Sequence, residues 1–355
     1  MKAAPCLVLA LALAAPLAAS ETSPAALAKS GHLKRAKVLA EERLRADPRD
    51  AEAHYVLARY RQAAGDLEAA LSLAEKACEL APRNAEHRYL LAGIYGQQAQ
   101  KASVFGKLGF ARRFQREAEA AIELDPGQVE ARMGLIEFHL QAPGIAGGDK
   151  QEARRLAAEI GQIDPASGYL AQIRIARREE RDAEVPGLYQ KLAAVQSPSY
   201  STLLSLASFY GADEQKQYER ATSLALEARE LDPGRAGAYS ALAALYSLQK
   251  RWSELDALLA QAEANVADNP SPYYQAARTL IQSDSDLPRA ERYLRRYLTR
   301  EPEPGAPTHA HAWWRLGNAL EKQGRKPEAI QALSTAARLK PDLEEAQKDL
   351  KRLKG

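Results

Sequence analysis

The feature that most constrains the fold is a segment that the chain copies. Residues Ala51–Asn84, AEAHYVLARYRQAAGDLEAALSLAEKACELAPRN, read as two short amphipathic helices joined at Gly65-Asp66 and closed at Pro82. Leu57, Ala58, Ala70, Ala77, Leu80 and Pro82 are its apolar and helix-breaking positions. The spacing returns at Ala310–Asp342 through Trp313, Leu316, Gly317, Gly324, Ala329, Leu333, Ala336 and Pro341. A unit of about 34 residues cannot bury its apolar face alone, so it stacks on its neighbours and the core grows with length. A chain of 355 residues organised this way is one stack, not two or three globular domains.

The pattern resembles the tetratricopeptide repeat, and the likeness runs along nearly all of the chain after residue 20. The resemblance implies an all-α, right-handed solenoid of about eight helical hairpins. Residues 21–50 fit a half-repeat that caps the amino end, 51–342 the repeats themselves, and 343–355 a polar, Lys-rich capping helix. Ala85–Gly127 carries an insertion over 97–116, and the next copy carries a shorter one over 142–148. Ser167–Pro198 is the most degenerate copy, with Pro186 where a small residue is usual. A Pro/Gly-rich break, EPEPGAPTH, precedes the last repeat and reads as one lengthened turn. Charged residues at 27% and only five Phe suit stacked amphipathic helices. No run of alternating β-branched residues marks a strand.

Residues 1–20 differ from the rest. Lys2, the apolar run LVLALALAA, Pro16 and the small residues up to Ser20 form an export signal, too short to span a membrane stably. Cleavage is expected near Ala19 or Ser20, leaving no integral membrane segment. Cys6 precedes the apolar run, whereas a lipoprotein signal places its cysteine after it. Cys78 then remains alone, and a buried small apolar role suits it. The formal net charge is +3, lower by one without Lys2, and gives no support to nucleic-acid binding.

Catalytic and metal-binding patterns are weak throughout. His309-x-His311 is the one close histidine pair, and no second pair completes the four ligands of a structural zinc site. The Asp-Pro pairs at Asp47, Asp125, Asp164 and Asp232 recur where second helices stop, which makes them punctuation. Gly147-Gly148 lacks the strand and the GK[ST] ending of a phosphate loop. No nucleophile elbow is present. The expectation is therefore a chain with no enzymatic activity, no cofactor and no metal.

Two surfaces compete for a partner. The resemblance implies that Tyr55, Arg59, Tyr89, Glu137, Thr279, Trp314, Asn318 and Glu321 face a concave groove, with Arg315 beside them. Aromatics and arginine are enriched in binding hot spots, although the Tyr and Trp residues equally suit packing between repeats. Paired Lys and Asn, by which related domains clamp a carboxyl terminus, are replaced here by Tyr55/Arg59, Tyr89/Gly93 and Trp314/Asn318. The other surface is the insertion QQAQKASVFGKLGFARRFQR, which holds Lys101, Lys107, Arg112, Arg113 and Arg116 and no acid. Phe110 and Phe114 share one helical face with Ala118 and Ala121 and should seal the lengthened hairpin, with the arginines left in solvent. The two insertions should stand together as a ridge, Phe105, Lys107, Arg112, Arg113 and Arg116 meeting an acidic partner. The sequence thus reads as an exported scaffold for protein–protein interaction in a bacterial envelope. The alternative is a periplasmic receptor holding a small molecule or short peptide in its groove.

Overall fold

The computed structural model describes residues 23–355, apart from the side chains at 104 and 105. The expected export signal lies outside the described residues. These form nineteen α-helices and no strand. The helices pair as successive hairpins: α1 (Pro24–Ser30) with α2 (Leu33–Ala46), α3 (Ala51–Ala63) with α4 (Leu67–Leu80), and α5 (Ala85–Lys101) with α6 (Val104–Leu124). Then come α7 (Val129–Gln141) with α8 (Lys150–Ile163), α9 (Pro165–Arg178) with α10 (Val185–Ala193), and α11 (Tyr200–Gly211) with α12 (Tyr218–Leu231). The last are α13 (Ala236–Leu248) with α14 (Trp252–Asn265), α15 (Ser271–Gln282) with α16 (Leu287–Leu298), and α17 (His309–Lys322) with α18 (Lys326–Leu339); α19 (Glu344–Lys354) closes the end. The chain is an all-helical solenoid of stacked hairpins.

Local chemistry sets these boundaries. Asp50, Asp66, Asn84, Asp149 and Ser199 each accept from backbone N–H groups of the helix they open, which satisfies donors that a helix start leaves unpaired. The seam between helices is built from alanine. Ala58, Ala70, Ala74, Ala77, Ala92 and Ala118 are fully buried. Gly317 carries this to its limit: a Cβ there would sit 2.6 Å from Leu333, so α17 and α18 cross at glycine contact. Cys78 is a buried free thiol, and burial pushes its pKa up to about 11.

The hydrophobic core divides into two large clusters that meet on α9. Ala171 and Ile175 belong to the amino-side cluster, while Ile173 and Ala176 belong to the carboxyl-side one. The degenerate repeat is therefore the joint of the stack. Val185 and Pro186 open α10 directly from a 3-10 turn, and a proline is tolerated in a first helical turn because its missing N–H would have no partner there.

The linker before α17 is more than a long turn. Glu303, inside it, is buried and accepts from the backbone N–H of Lys34 at 3.1 Å. Lys34 Nζ reaches the Asp268 carbonyl at 2.7 Å. Gly305 lies against Ala63, an added Cβ falling 3.7 Å from the Ala63 carbonyl oxygen. The first hairpins thus touch the turns of the sixth to eighth, and the solenoid returns on itself.

Candidate binding surface on the tall hairpin

The insertion over 97–116 lengthens both helices of its hairpin. At 17 and 21 residues, α5 and α6 overtop the 13- and 14-residue helices of the preceding hairpin. Phe114 is buried against Phe138 of α7, ring centroids 5.7 Å apart, and Phe110 lies 6.4 Å from Tyr95. The aromatic face does seal the hairpin. Arg112, Arg113 and Arg116 remain exposed.

The shorter insertion folds over toward this tower. After α7 a 3-10 turn spans Gly144–Ala146 and leaves Ile145 97% exposed. His139 Nδ1 holds the loop by a 2.9 Å hydrogen bond to the Gly147 carbonyl. A Cβ at Gly148 would lie 1.7 Å from the Ala142 carbonyl oxygen, so this tight return requires glycine.

Between the tower and the loop opens a cleft of about 850 Å³. Leu108, Ala111, Phe114, Met133, Phe138 and Ile145 give it an apolar lining, and Gly93, Gly96 and Gly134 leave room by having no side chain. Tyr89 lines one wall, and its hydroxyl is pushed above its usual pKa mainly by burial. Polar groups stand at the rim: Gln97, Gln100, Gln141, Lys107, Glu137 and Arg174. Glu137 is engaged by Arg178 and lies 4.0 Å from Arg174. Lys107 and Arg112 have no acidic partner among the described residues.

The remaining insertion cations are partly committed. Arg113 stacks over the Tyr95 ring at 5.5 Å. Arg116 bonds Glu117 at 2.8 Å, and Glu117, buried, also receives Arg88 at 2.8 Å. Burial works against that carboxylate's charge, yet the two guanidinium groups outweigh it and hold Glu117 below the ordinary range. The side chain of Phe105 lies outside the described residues.

The sequence-derived groove residues separate in space. Tyr55 is buried, stacked 4.9 Å from His87, and its hydroxyl accepts from Arg59 at 3.0 Å. It packs between repeats. At the far end Trp314 Nε1 and Asn318 Nδ2 both donate to Asp349 of α19, at 2.8 and 2.9 Å. Arg315 lies over the Trp314 ring at 4.0 Å. Of the groove candidates Tyr89 and Glu137 line the cleft, which sequence reasoning missed as a cavity. The two insertions were its visible signal, but their facing apolar surfaces come from α7, which carries no insertion.

The histidine pair serves the start of α17. His311 Nδ1 accepts from the Thr308 backbone at 3.1 Å, and His309 Nε2 bonds the Arg300 carbonyl at 2.9 Å. Among the described residues no three His, Cys, Asp or Glu side chains gather as metal ligands. Among the described residues no helix is long and apolar enough to cross a membrane.

Residues 26–85 and 274–344 match the family model described as tetratricopeptide repeat. Those two stretches carry tetratricopeptide repeats. No curated protein matches it in sequence. Among solved structures it is similar to yeast Tom70, at 14% identity over 93% of this chain and 80% of that one, with a TM-score of 0.49. It is also similar to pilF of Pseudomonas aeruginosa, at 20% identity over 64% of this chain and 98% of that one, TM-score 0.40. A tetratricopeptide repeat protein from Parabacteroides merdae matches at 14% identity over 74% and 99% of the two chains, TM-score 0.45.

Proposed function

We propose that this protein is an exported, non-enzymatic scaffold of a bacterial envelope that binds another protein through the cleft beside its tall hairpin. Tetratricopeptide repeats point to protein partners, and the cleft is the observation that carries the site. An opening of about 850 Å³ with a mainly apolar lining suits an inserted apolar segment better than a polar substrate. The charge left at its rim and on the tower is positive, from Lys107 and Arg112, because Glu137 is already paired. The partner segment is therefore an amphipathic helix, apolar on the face it inserts and acidic on its flank. The leader over residues 1–20, with its basic start and short apolar run, supports export.

A photo-crosslinking residue at Ile145, tested in the cellular envelope, checks this against one at Leu231, which is 57% exposed on α12. The expected outcome is a discrete adduct from position 145 alone, lost with rising salt. Equal labelling at both positions would remove the cleft from consideration. Intact mass of the same preparation should begin near Ser20 or Glu21; a retained amino terminus or an added lipid would sink the export reading.

A further inference from the structure

We propose that His32 is a proton-operated clasp that holds the solenoid closed on itself. The turn between α1 and α2 enters the space between the α12–α13 and α14–α15 turns. There the His32 side chain is 7% exposed. Its Nδ1 lies 2.8 Å from one Asp268 carboxylate oxygen and 3.0 Å from the other, and its Nε2 lies 2.6 Å from the Gly234 carbonyl oxygen. A carboxylate and a carbonyl can only accept. A neutral imidazole carries one N–H and would present a bare nitrogen to one of them; the imidazolium donates to both. The geometry therefore selects the protonated ring.

The surrounding groups agree on balance. Asp268 and Glu303 favour the positive charge, while Arg35 opposes it. Lys34, next in sequence, spends its ammonium on the Asp268 carbonyl. The hydrogen bond to Asp268 prevails over burial and raises the His32 pKa above 6.5. Glu303 has one buried oxygen without a partner, and burial pushes its carboxyl above 4.5. Both groups hold a proton more tightly in the closed form than in an open one. The contribution of His32 is complete below its open-state value and is lost as pH rises through the raised closed-state value. Glu303 adds a separate limb at more acidic pH, in the same direction. Between the two His32 values the closing equilibrium should fall about tenfold per pH unit, as for one linked proton. The clasp is independent of which partner occupies the cleft, and it lets pH set how widely the concave side opens.

Paired labels at Glu42→Cys and Ala264→Cys, in a Cys78→Ala background, read the closing distance. A single short distance is expected at pH 6, with a longer population growing toward pH 9. His32→Ala should give the long distance throughout, with circular dichroism showing unchanged helix content. Asp268→Asn should shift the transition to lower pH, and it decides the matter if His32→Ala loses helix. Glu303→Gln should move the upper transition to lower pH by less than Asp268→Asn does and should remove the acidic limb. A distance constant from pH 6 to 9 in the parent, or an Asp268→Asn transition identical to it, overturns the proposal.

Discussion

The cleft beside α5 and the end of the stack at α17 are built from the same repeat positions, yet they have opposite fates. At the carboxyl end, Trp314 and Asn318 sit where a groove-lining residue would, and Asp349 of α19 consumes their donors. At the tall hairpin, α7 offers Met133, Phe138 and a bare Gly134 to the cleft, and the described residues cover them only in part. One surface has been satisfied by a capping helix; the other stays partly open. Position in a repeat thus fixes where a side chain points but not whether it is available. Availability depends on what the next element brings, which here is a Lys-rich helix that presents Asp349 in one case and a short open loop in the other.

That contrast can be broken at three places. The largest effect is expected from Phe114→Ala, which removes a buried ring shared by the hairpin seal and the cleft. Large-to-small changes of this kind cost about 3–5 kcal/mol, and denaturant unfolding should show it together with loss of the Ile145 adduct. A smaller loss would mean that Phe138 collapses into the space. Next is Asp349→Ala, expected to cost about 1–3 kcal/mol by leaving half-buried donors without their acceptor. It should loosen α19 and leave partner capture untouched; a capture defect would mean that the carboxyl end also binds. Burial disfavours the Asp349 charge, but hydrogen bonds from Trp314, Asn318 and Arg352 prevail and keep its pKa below 3.8. Its contribution is therefore present above the ordinary carboxylate range and lost as pH falls through the lowered value, which hydrogen exchange in α19 would reveal. The smallest effect on stability belongs to the double change Lys107→Glu and Arg112→Glu, within about 0.5 kcal/mol because both side chains are exposed. Capture should nevertheless weaken and lose its salt dependence. Arg116 is kept out of that variant because a carboxylate there would face Glu117.

The fold was legible because its signal is repeated. Ala58, Ala70, Ala77, Leu316, Gly317 and Leu333 recur at spacings that only stacked hairpins satisfy, and each of them is buried. The aromatic seal of Phe110 and Phe114 was legible for the same reason, as a step of four along one helix. What escaped was whatever depends on meetings far along the chain. His32 has no local peculiarity in sequence, and neither does Asp268; their contact is made 236 positions apart by the accumulated curvature of the stack. The Pro/Gly-rich linker before α17 read as a mere lengthening, because nothing nearby announces that Glu303 receives the backbone of Lys34. Tyr55 and Trp314 could not be placed by pattern, since packing and recognition ask for the same residue types.

The returning contact also changes how such a stack comes apart. Open solenoids behave as one-dimensional chains in which each unit is stabilised by its neighbours, so the terminal units fray first. Here the amino-terminal hairpin has an additional neighbour, in the turns that hold His32 and Lys34. Among the described residues it is held on two sides. Amide exchange should consequently be slow in α2 and fastest in α19, and a proteolytic nick should begin at the carboxyl end and run inward until it meets the linker at Glu303.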